Sequence, residues 1–217
     1  MASQIIYGVQ PVQEAERGRR RVHKVWRAPK TPAAELERLC GSPDHQGVVA
    51  EVDPYPYGDA EGMLRKPGAL IVALDQVQDP RNLGAVCRSA EAAGAAGVVI
   101  PERRAAMVTP VACKTSAGAV EHLKVAHVRN LADWMAAAQE AGFWVWGADA
   151  DGPQPPWGVD LTGPTVIVLG GEGKGLRPRV AASCDGLIAL PSLGKVESLN
   201  VSAAATALLF EAVRQRA

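Results

Sequence analysis

The chain has 217 residues, 47% of them hydrophobic, and its 23 basic and 23 acidic side chains give a formal net charge of zero. That length fits one large domain, or an ordinary domain with a small one, and allows a proper buried core. Zero net charge removes any argument from global charge for a polyanionic partner, and no apolar run approaches the ~18 residues of a membrane span.

The opening MASQIIYGVQ lacks the charged-then-apolar order of a secretory signal, so a cytoplasmic location is expected. Residues 1–62 hold only short apolar runs, Val22 to Trp26 and Gly47 to Val52. Arg17, Arg19, Arg20, Arg21, Lys24, Arg27 and Lys30 follow one another there without an intervening Asp or Glu. Such a run is either a solvated helix face or an anion-binding patch, as for RNA phosphates. The segment DPYPYGDAEG, continued by Arg65-Lys66-Pro67-Gly68, has linker chemistry. It sets a boundary at 63–68, with a second domain over 69–217.

From there the pattern is regular. Ala69 to Leu74 is a continuous apolar run, as expected of a strand buried on both faces. Asn82 to Ala93 predicts a helix with Leu83, Val86, Cys87, Ala90 and Ala93 on one stripe, Pro80 before it and Gly94 after it. Gly97 to Ile100 predicts a strand, Leu131 to Ala141 a helix, and Phe143 to Gly147 and Thr165 to Leu169 two further strands. Leu176 to Ser183 predicts a short helix, Gly186 to Leu190 a strand, and Leu199 to Arg214 a long Ala-rich helix. Strands alternating with helices imply a parallel α/β sheet. Ligands of such sheets lie beyond the carboxyl ends of the strands. Cys40, Cys87, Cys113 and Cys184 form no CxxC pair and no metal pattern, and no metal is expected.

Polar residues concentrate in loops that follow predicted strands. The first loop is Asp75-Gln76-Val77-Gln78-Asp79-Pro80-Arg81-Asn82, leading to Arg88 on the helix. Arg88 is either an exposed partner of Glu91 or a fixed guanidinium for a phosphate or a reacting oxygen. The second is Gly170-Gly171-Glu172-Gly173-Lys174-Gly175. It fails the phosphate-loop pattern, because Gly175 follows Lys174, and it fails the dinucleotide pattern at Leu176. Its glycines still admit a ligand close to the backbone, and Glu172 favours a neutral or cationic group over a phosphate. The third is Glu197-Ser198-Leu199-Asn200, at the start of the Ala-rich helix. Ser198 and Asn200 either simply cap that helix or form a wall of a site.

NLGAVCRSAEAAG, VIVLGGEGKGLRP and LPSLGKVESLNVSAAATALLFEAVRQR resemble, in order and spacing, the three motifs of SpoU-type (TrmH-type) RNA 2′-O-methyltransferases, over residues 68–217. The stretch from Lys114 through Thr-Ser-Ala-Gly-Ala and Arg129-Asn-Leu also resemble that family. His45-Gln-Gly-Val-Val-Ala is similar to the branch that modifies guanosine in 23S ribosomal RNA, whose N-terminal L30e-like domain binds RNA. Here that region is shorter between Trp26 and His45.

The resemblance implies an α/β domain with a parallel sheet and a deep C-terminal trefoil knot, preceded by a small α+β L30e-like domain over residues 1–62. It implies a homodimer whose sites are completed across the interface, with S-adenosylmethionine as methyl donor. Leu169, Gly170, Gly171, Ile188, Leu190, Ser198 and Leu199 would hold that cofactor. Asn82, Arg88, Glu172, Ser198 and Asn200 would form the catalytic set, with Arg19, Arg20, Arg21, Arg81 and Arg88 on RNA. Transfer RNA is the alternative substrate, and an RNA-binding module without catalysis the alternative function.

Overall fold

The computed structural model describes residues 3–171, 175–195 and 198–217. Strands β1 (Gln4–Tyr7), β2 (Val22–Arg27) and β3 (Val48–Val52) form an antiparallel sheet in the order β1-β3-β2. Helices α1 (Val9–Arg17) and α2 (Ala33–Cys40) accompany it. Then come α3 (Ala60–Leu64), β4 (Leu70–Asp75), α4 (Pro80–Ala92), β5 (Gly97–Pro101), α5 (Pro110–Thr115) and β6 (Val125–Val128). The remaining elements are α6 (Leu131–Glu140), β7 (Trp144–Ala148), β8 (Thr165–Gly170), α7 (Pro178–Ala182), β9 (Gly186–Ile188) and α8 (Val201–Arg216).

The second sheet is wholly parallel, in the order β6-β5-β4-β8-β7-β9. β4 is central and buried at every position, which is why it reads as an unbroken apolar run. Leu70, Val72 and Leu74 face one core with α4 and α8; Ile71 and Ala73 face the other with α6 and α7. From β4 the chain lays β5 and β6 on one side and its later strands on the other. The sheet therefore changes direction between β4 and β8, where a crevice opens at the carboxyl ends.

α4 begins two residues earlier than its apolar stripe predicts. Asp79 caps it by accepting from the Arg81 N–H (2.8 Å), and Pro80 fills the first turn, where its missing donor costs nothing. Gly84 lets α5 press against α4: a Cβ there would stand 2.6 Å from the Ala112 carbonyl oxygen. β6 and α5 have no counterpart in the sequence-based assignment.

The stretch with linker chemistry is packed in its first part, where Tyr55, Ala60 and Met63 are buried, while Arg65 to Gly68 are exposed. Gly58 bridges Ala126 beside β6, Trp134 Nε1 donates to the Ala60 carbonyl (3.4 Å), and Ala60 to Leu64 are helical. The buried Tyr55 hydroxyl donates toward the Leu123 and Val120 carbonyls (2.9 and 3.1 Å) and accepts from the Val125 N–H (3.2 Å). Burial outweighs the nearby Arg19 and pushes the Tyr55 phenol up from its ordinary value. One core contains Ile6, Ala50 and Val52 from the first sheet and Val12 from α1, together with Leu83, Val86 and Leu208 from the second unit.

Arg20 is fixed in this seam. It is 4% exposed and Glu121 is 1% exposed. The Arg20 guanidinium makes two bonds to the Glu121 carboxylate, one of them from Nε to Oε2 at 2.9 Å, and also reaches Gln4 Oε1 (2.6 Å) and Cys113 Sγ (3.4 Å). Burial works against the cation, but the bond and charge of Glu121 outweigh it, and the Arg20 pKa is raised. The expectation that Arg20 meets RNA is therefore corrected: its donors are turned inward, onto a partner 101 residues away.

Candidate functional site

The crevice between β4 and β8 holds an open pocket of about 260 Å³, lined by Gln76, Val77, Gln78, Asp79, Asn82, Gly171 and Gly175. β4 ends at Asp75, and the chain turns through Gln76 in the left-handed region (φ +60°). Gly171 lies so close to this turn that a Cβ would come within 2.5 Å of the Gln76 carbonyl oxygen. Gly170 lies equally close to the return of its own loop, 2.1 Å from the Gly175 carbonyl carbon by the same construction, and Gly171 pairs with Gly175. The glycines are thus needed for backbone-to-backbone approach, which leaves peptide groups lining the cavity.

Asp75 anchors the loop's return. Its buried carboxylate accepts from the Arg177 backbone N–H (2.9 Å) and from Arg177 Nε (2.7 Å). The motifs do not single out Arg177. An acidic residue ending a strand that is buried on both faces is the available signal, since such a charge requires a partner.

The third wall comes from α8. Asn200 caps it: Oδ1 accepts from the Ser202 N–H (2.9 Å) and hydroxyl (2.6 Å). Nδ2 then donates to Asn82 Oδ1 at 3.1 Å. Asn82 is 8% exposed, so two residues 118 apart in the chain meet at the pocket edge. Ser89 and Thr206 hydroxyls (2.7 Å) hold the same pair of helices together further along.

The sequence-derived residues divide as follows. Asn82, Asn200 and Gly171 come together at the pocket. Leu169 and Ile188 are 1% exposed at the carboxyl ends of β8 and β9, with Gly170 and Leu190 partly buried beside them. Ser198 is exposed and is not the cap, and Leu199 is 57% exposed. Glu172 lies outside the described residues. Arg88 is exposed, and among the described residues it forms no salt bridge, with Glu91 or any other group. Asn82 and Arg88 are six residues apart on one helix, about 120° around its axis, so Arg88 faces away from the pocket that Asn82 lines. Arg81 and Arg88, seven apart, share a face. Arg19 is exposed, yet it donates to the Glu121 and Leu123 carbonyls (3.3 and 2.8 Å). Arg21 is exposed.

Among the described residues, no helix is long and apolar enough to cross a membrane.

Residues 69–210 match the model of the SpoU rRNA Methylase family, and residues 28–58 match the model described as RNA 2′-O ribose methyltransferase substrate binding. A protein of Mycobacterium sp. (strain KMS), named as an uncharacterized tRNA/rRNA methyltransferase, is 45% identical over 192 residues, 86% of this chain and 61% of that protein. The chain thus spans about three fifths of the length of the curated relatives it matches. Several solved structures match almost the whole chain. The SpoU methyltransferase AviRb from Streptomyces viridochromogenes, in complex with AdoMet, is 29% identical with a TM-score of 0.82, covering 99% of this chain and 90% of that one. The AdoMet-bound rRNA methyltransferase from Sinorhizobium meliloti is 25% identical with a TM-score of 0.84, covering 98% and 87%. The A. aeolicus TrmH/SpoU tRNA modifying enzyme is 28% identical with a TM-score of 0.64 and covers 72% of this chain and 80% of its own. With a family model matched over residues 69–210 and a fold shared with its solved members, the chain belongs to the SpoU rRNA methylase family.

Proposed function

We propose that this protein transfers a methyl group from S-adenosylmethionine to a ribose 2′-hydroxyl of RNA. The observation that carries the reading is the pocket at the β4–β8 crevice, walled by the glycine loop and closed by the Asn200–Asn82 bond. Its lining fits the cofactor's chemistry: peptide groups at Gly171 and Gly175 replace side chains, and the described lining has acceptors but no cationic side chain to oppose a sulfonium.

When bound, S-adenosylmethionine supplies an electrophilic methyl group on a sulfonium. The backbone of Leu169, Gly170, Gly171, Ile188, Leu190 and Leu199 would hold it together with Ser198, while Glu172 would belong to the catalytic set with Asn82, Arg88, Ser198 and Asn200. Asn200 is locked by its own capping bonds and so fixes the Asn82 amide at the pocket edge. The ribose oxygen would receive the methyl, and its hydroxyl proton would pass to solvent water; the chain's part is to hold that hydroxyl in line. In-line placement of the hydroxyl supplies much of the rate. A guanidinium with a pKa above ~12 stays charged. Arg88 therefore acts by holding an RNA phosphate and stabilising the developing alkoxide, rather than by taking the proton. Its position away from its own pocket supports a homodimer in which each Arg88 serves the neighbouring site. Exposed Phe210 on α8 and Trp144 on β7, 47% and 55% exposed, give a second copy apolar surface to cover.

The finer reading is a guanosine of 23S ribosomal RNA, modified in the cytoplasm by a knotted domain over 69–217 with an L30e-like RNA-binding unit over 1–62. The match to an rRNA methyltransferase extends over both units, while the tRNA modifying enzyme covers 72% of the chain; this favours ribosomal RNA over transfer RNA. Incubation with methyl-labelled S-adenosylmethionine and either 23S rRNA or tRNA tests the proposal. Label on a ribose of 23S rRNA is expected. Label on tRNA alone selects the other substrate, and label on neither, with AdoMet bound, leaves an RNA-binding module.

A further inference from the structure

The carboxyl edge of the parallel sheet carries more than the pocket. The order β6-β5-β4-β8 sets the loops that follow these strands side by side. Arg129 follows β6, Arg103 and Arg104 follow β5, and Arg81 opens α4 after β4; all four are exposed. Strands lie ~4.8 Å apart, so these loops span about 10 Å and lead toward the Asn82 and Gly171 pocket. Among the described residues none of the four joins a salt bridge.

The acidic groups of this edge are mostly occupied. Asp75 is bound by Arg177, and Asp79 caps α4. Glu102 is exposed beside the arginines and Asp79 keeps its charge while capping α4; these two carboxylates still leave the row cationic. At the opposite edge of the sheet arginines are engaged: Arg216 donates to the Leu161, Gly68 and Gly163 carbonyls, and Arg65 pairs with Asp59.

The 102–109 loop is also held at both ends. The Ala106 N–H donates to the Val77 carbonyl (2.8 Å), in the pocket wall. The Val108 N–H donates to the Tyr57 hydroxyl (2.9 Å), and its carbonyl accepts from Gln4 Nε2 (3.1 Å), in the first unit. Arg104 sits in the left-handed region (φ +58°), uncommon for a side chain of its size. Tying a loop to the pocket and to the first unit gives its charges a fixed place between them. Met107, 43% exposed in the same loop, offers an adaptable apolar surface to a base.

We propose that Arg129, Arg103 and Arg104 form a phosphate track along which single-stranded RNA reaches the pocket. The proposal rests on the RNA methyltransferase reading. Loops and unpaired strands, rather than duplex grooves, are where RNA exposes its bases for modification, and each phosphate neutralised steepens the salt dependence of binding.

The test compares the full chain with Arg103→Gln/Arg104→Asn and with Arg129→Gln, on a short fluorescein-labelled single-stranded RNA and on 23S rRNA. Asn tolerates the backbone at position 104. Affinity is measured across a salt series, with AdoMet titration and thermal melting as controls. The log–log salt slope on single-stranded RNA should fall by about 1.4 for the double variant and about 0.7 for Arg129→Gln, while AdoMet affinity stays unchanged. Unchanged slopes in variants that melt and bind AdoMet like wild type would overturn the track and leave the methyltransferase reading intact. A wild-type chain that binds neither RNA would overturn both. Equal losses on RNA and on AdoMet would also overturn the track, because they would mark a deformed pocket instead.

Discussion

Arg20 and Arg88 lie in the two regions where this chain concentrates its polar chemistry, and they are treated in opposite ways. In the seam between the two sheets, Arg20, Glu121, Gln4, Tyr55 and Arg19 direct donors and acceptors at one another and at the Leu123 carbonyl, and the Arg20 guanidinium is turned wholly inward. Around the pocket, side chains lock the walls but leave the surface open. Asn200 fixes Asn82 and Arg177 fixes Asp75, while Arg81 and Arg88 stay in water. A buried charge needs all its partners supplied by the protein, whereas a charge that receives a substrate phosphate must keep its donors available. An arginine run in the sequence says nothing about which of these fates each member meets.

Removing one half of the seam pair should have the largest effect. Arg20→Met leaves Glu121 buried and uncompensated and should lower stability by about 3–5 kcal/mol in urea titrations. Arg20→Met/Glu121→Leu should recover most of that loss, because a well-packed apolar pair is often as stable as a buried ion pair. If the double variant is no more stable than the single, the seam owes its strength to the other Arg20 bonds. Arg88→Ala is the mirror experiment. Methyl transfer to rRNA should fall by about 10²–10³, as for loss of a preorganised donor, while stability changes by less than ~0.5 kcal/mol. Wild-type-like methylation by this variant would remove Arg88 from the chemistry.

Asn200→Ala joins the two regions' logic, since this residue both caps and positions. A loss of about 1 kcal/mol is expected from the cap. Asn200→Ser should restore the cap without restoring the reach to Asn82, so melting recovers while transfer does not. The smallest effect is at a partly exposed site on α8. Hydrogen bonds from Arg214 and Gln215 hold the Glu211 carboxyl down at about 2. A depressed acid stabilises the fold above its unfolded value of ~4.3 and loses that contribution as pH falls toward its folded value. Glu211→Gln should therefore flatten the decline of melting temperature between ~pH 4.5 and pH 2, and an identical decline in both proteins would show that the network adds nothing.

Much of the second unit was legible because local signals and burial agree there. β4 and β8 read as strands because both faces are covered, and α4 reads as a helix because Leu83, Val86, Cys87 and Ala90 share one buried stripe. α5 has only six residues, and β6 has four, including the polar His127. Segments this short carry too few positions to express a period. The Tyr/Pro/Gly stretch has the composition of a linker, but Tyr55 and Gly58 are drawn into contacts 65 or more residues away. The same non-locality conceals Arg20, whose partner lies beyond β5. At the site, the choice between Ser198 and Asn200 as cap was open in the sequence, since both residue types serve, and the bond from the Ser202 N–H to Asn200 distinguishes them.

The bond from Asn200 to Asn82 also has a consequence in time. Residue 82 and its helix can form early, yet the pocket has no third wall until a segment 118 residues later has been made and folded back. At ~5–20 residues per second of synthesis, the nascent chain carries a half-built site for on the order of ten seconds. Contacts of such sequence separation are slow to close even in the finished chain. On the proposed methyltransferase reading, a growing polypeptide that holds Arg81, Arg88 and the Arg103–Arg104 loop can meet RNA well before it can modify it. Its first encounters with the ribosomal RNA around it would then be silent ones.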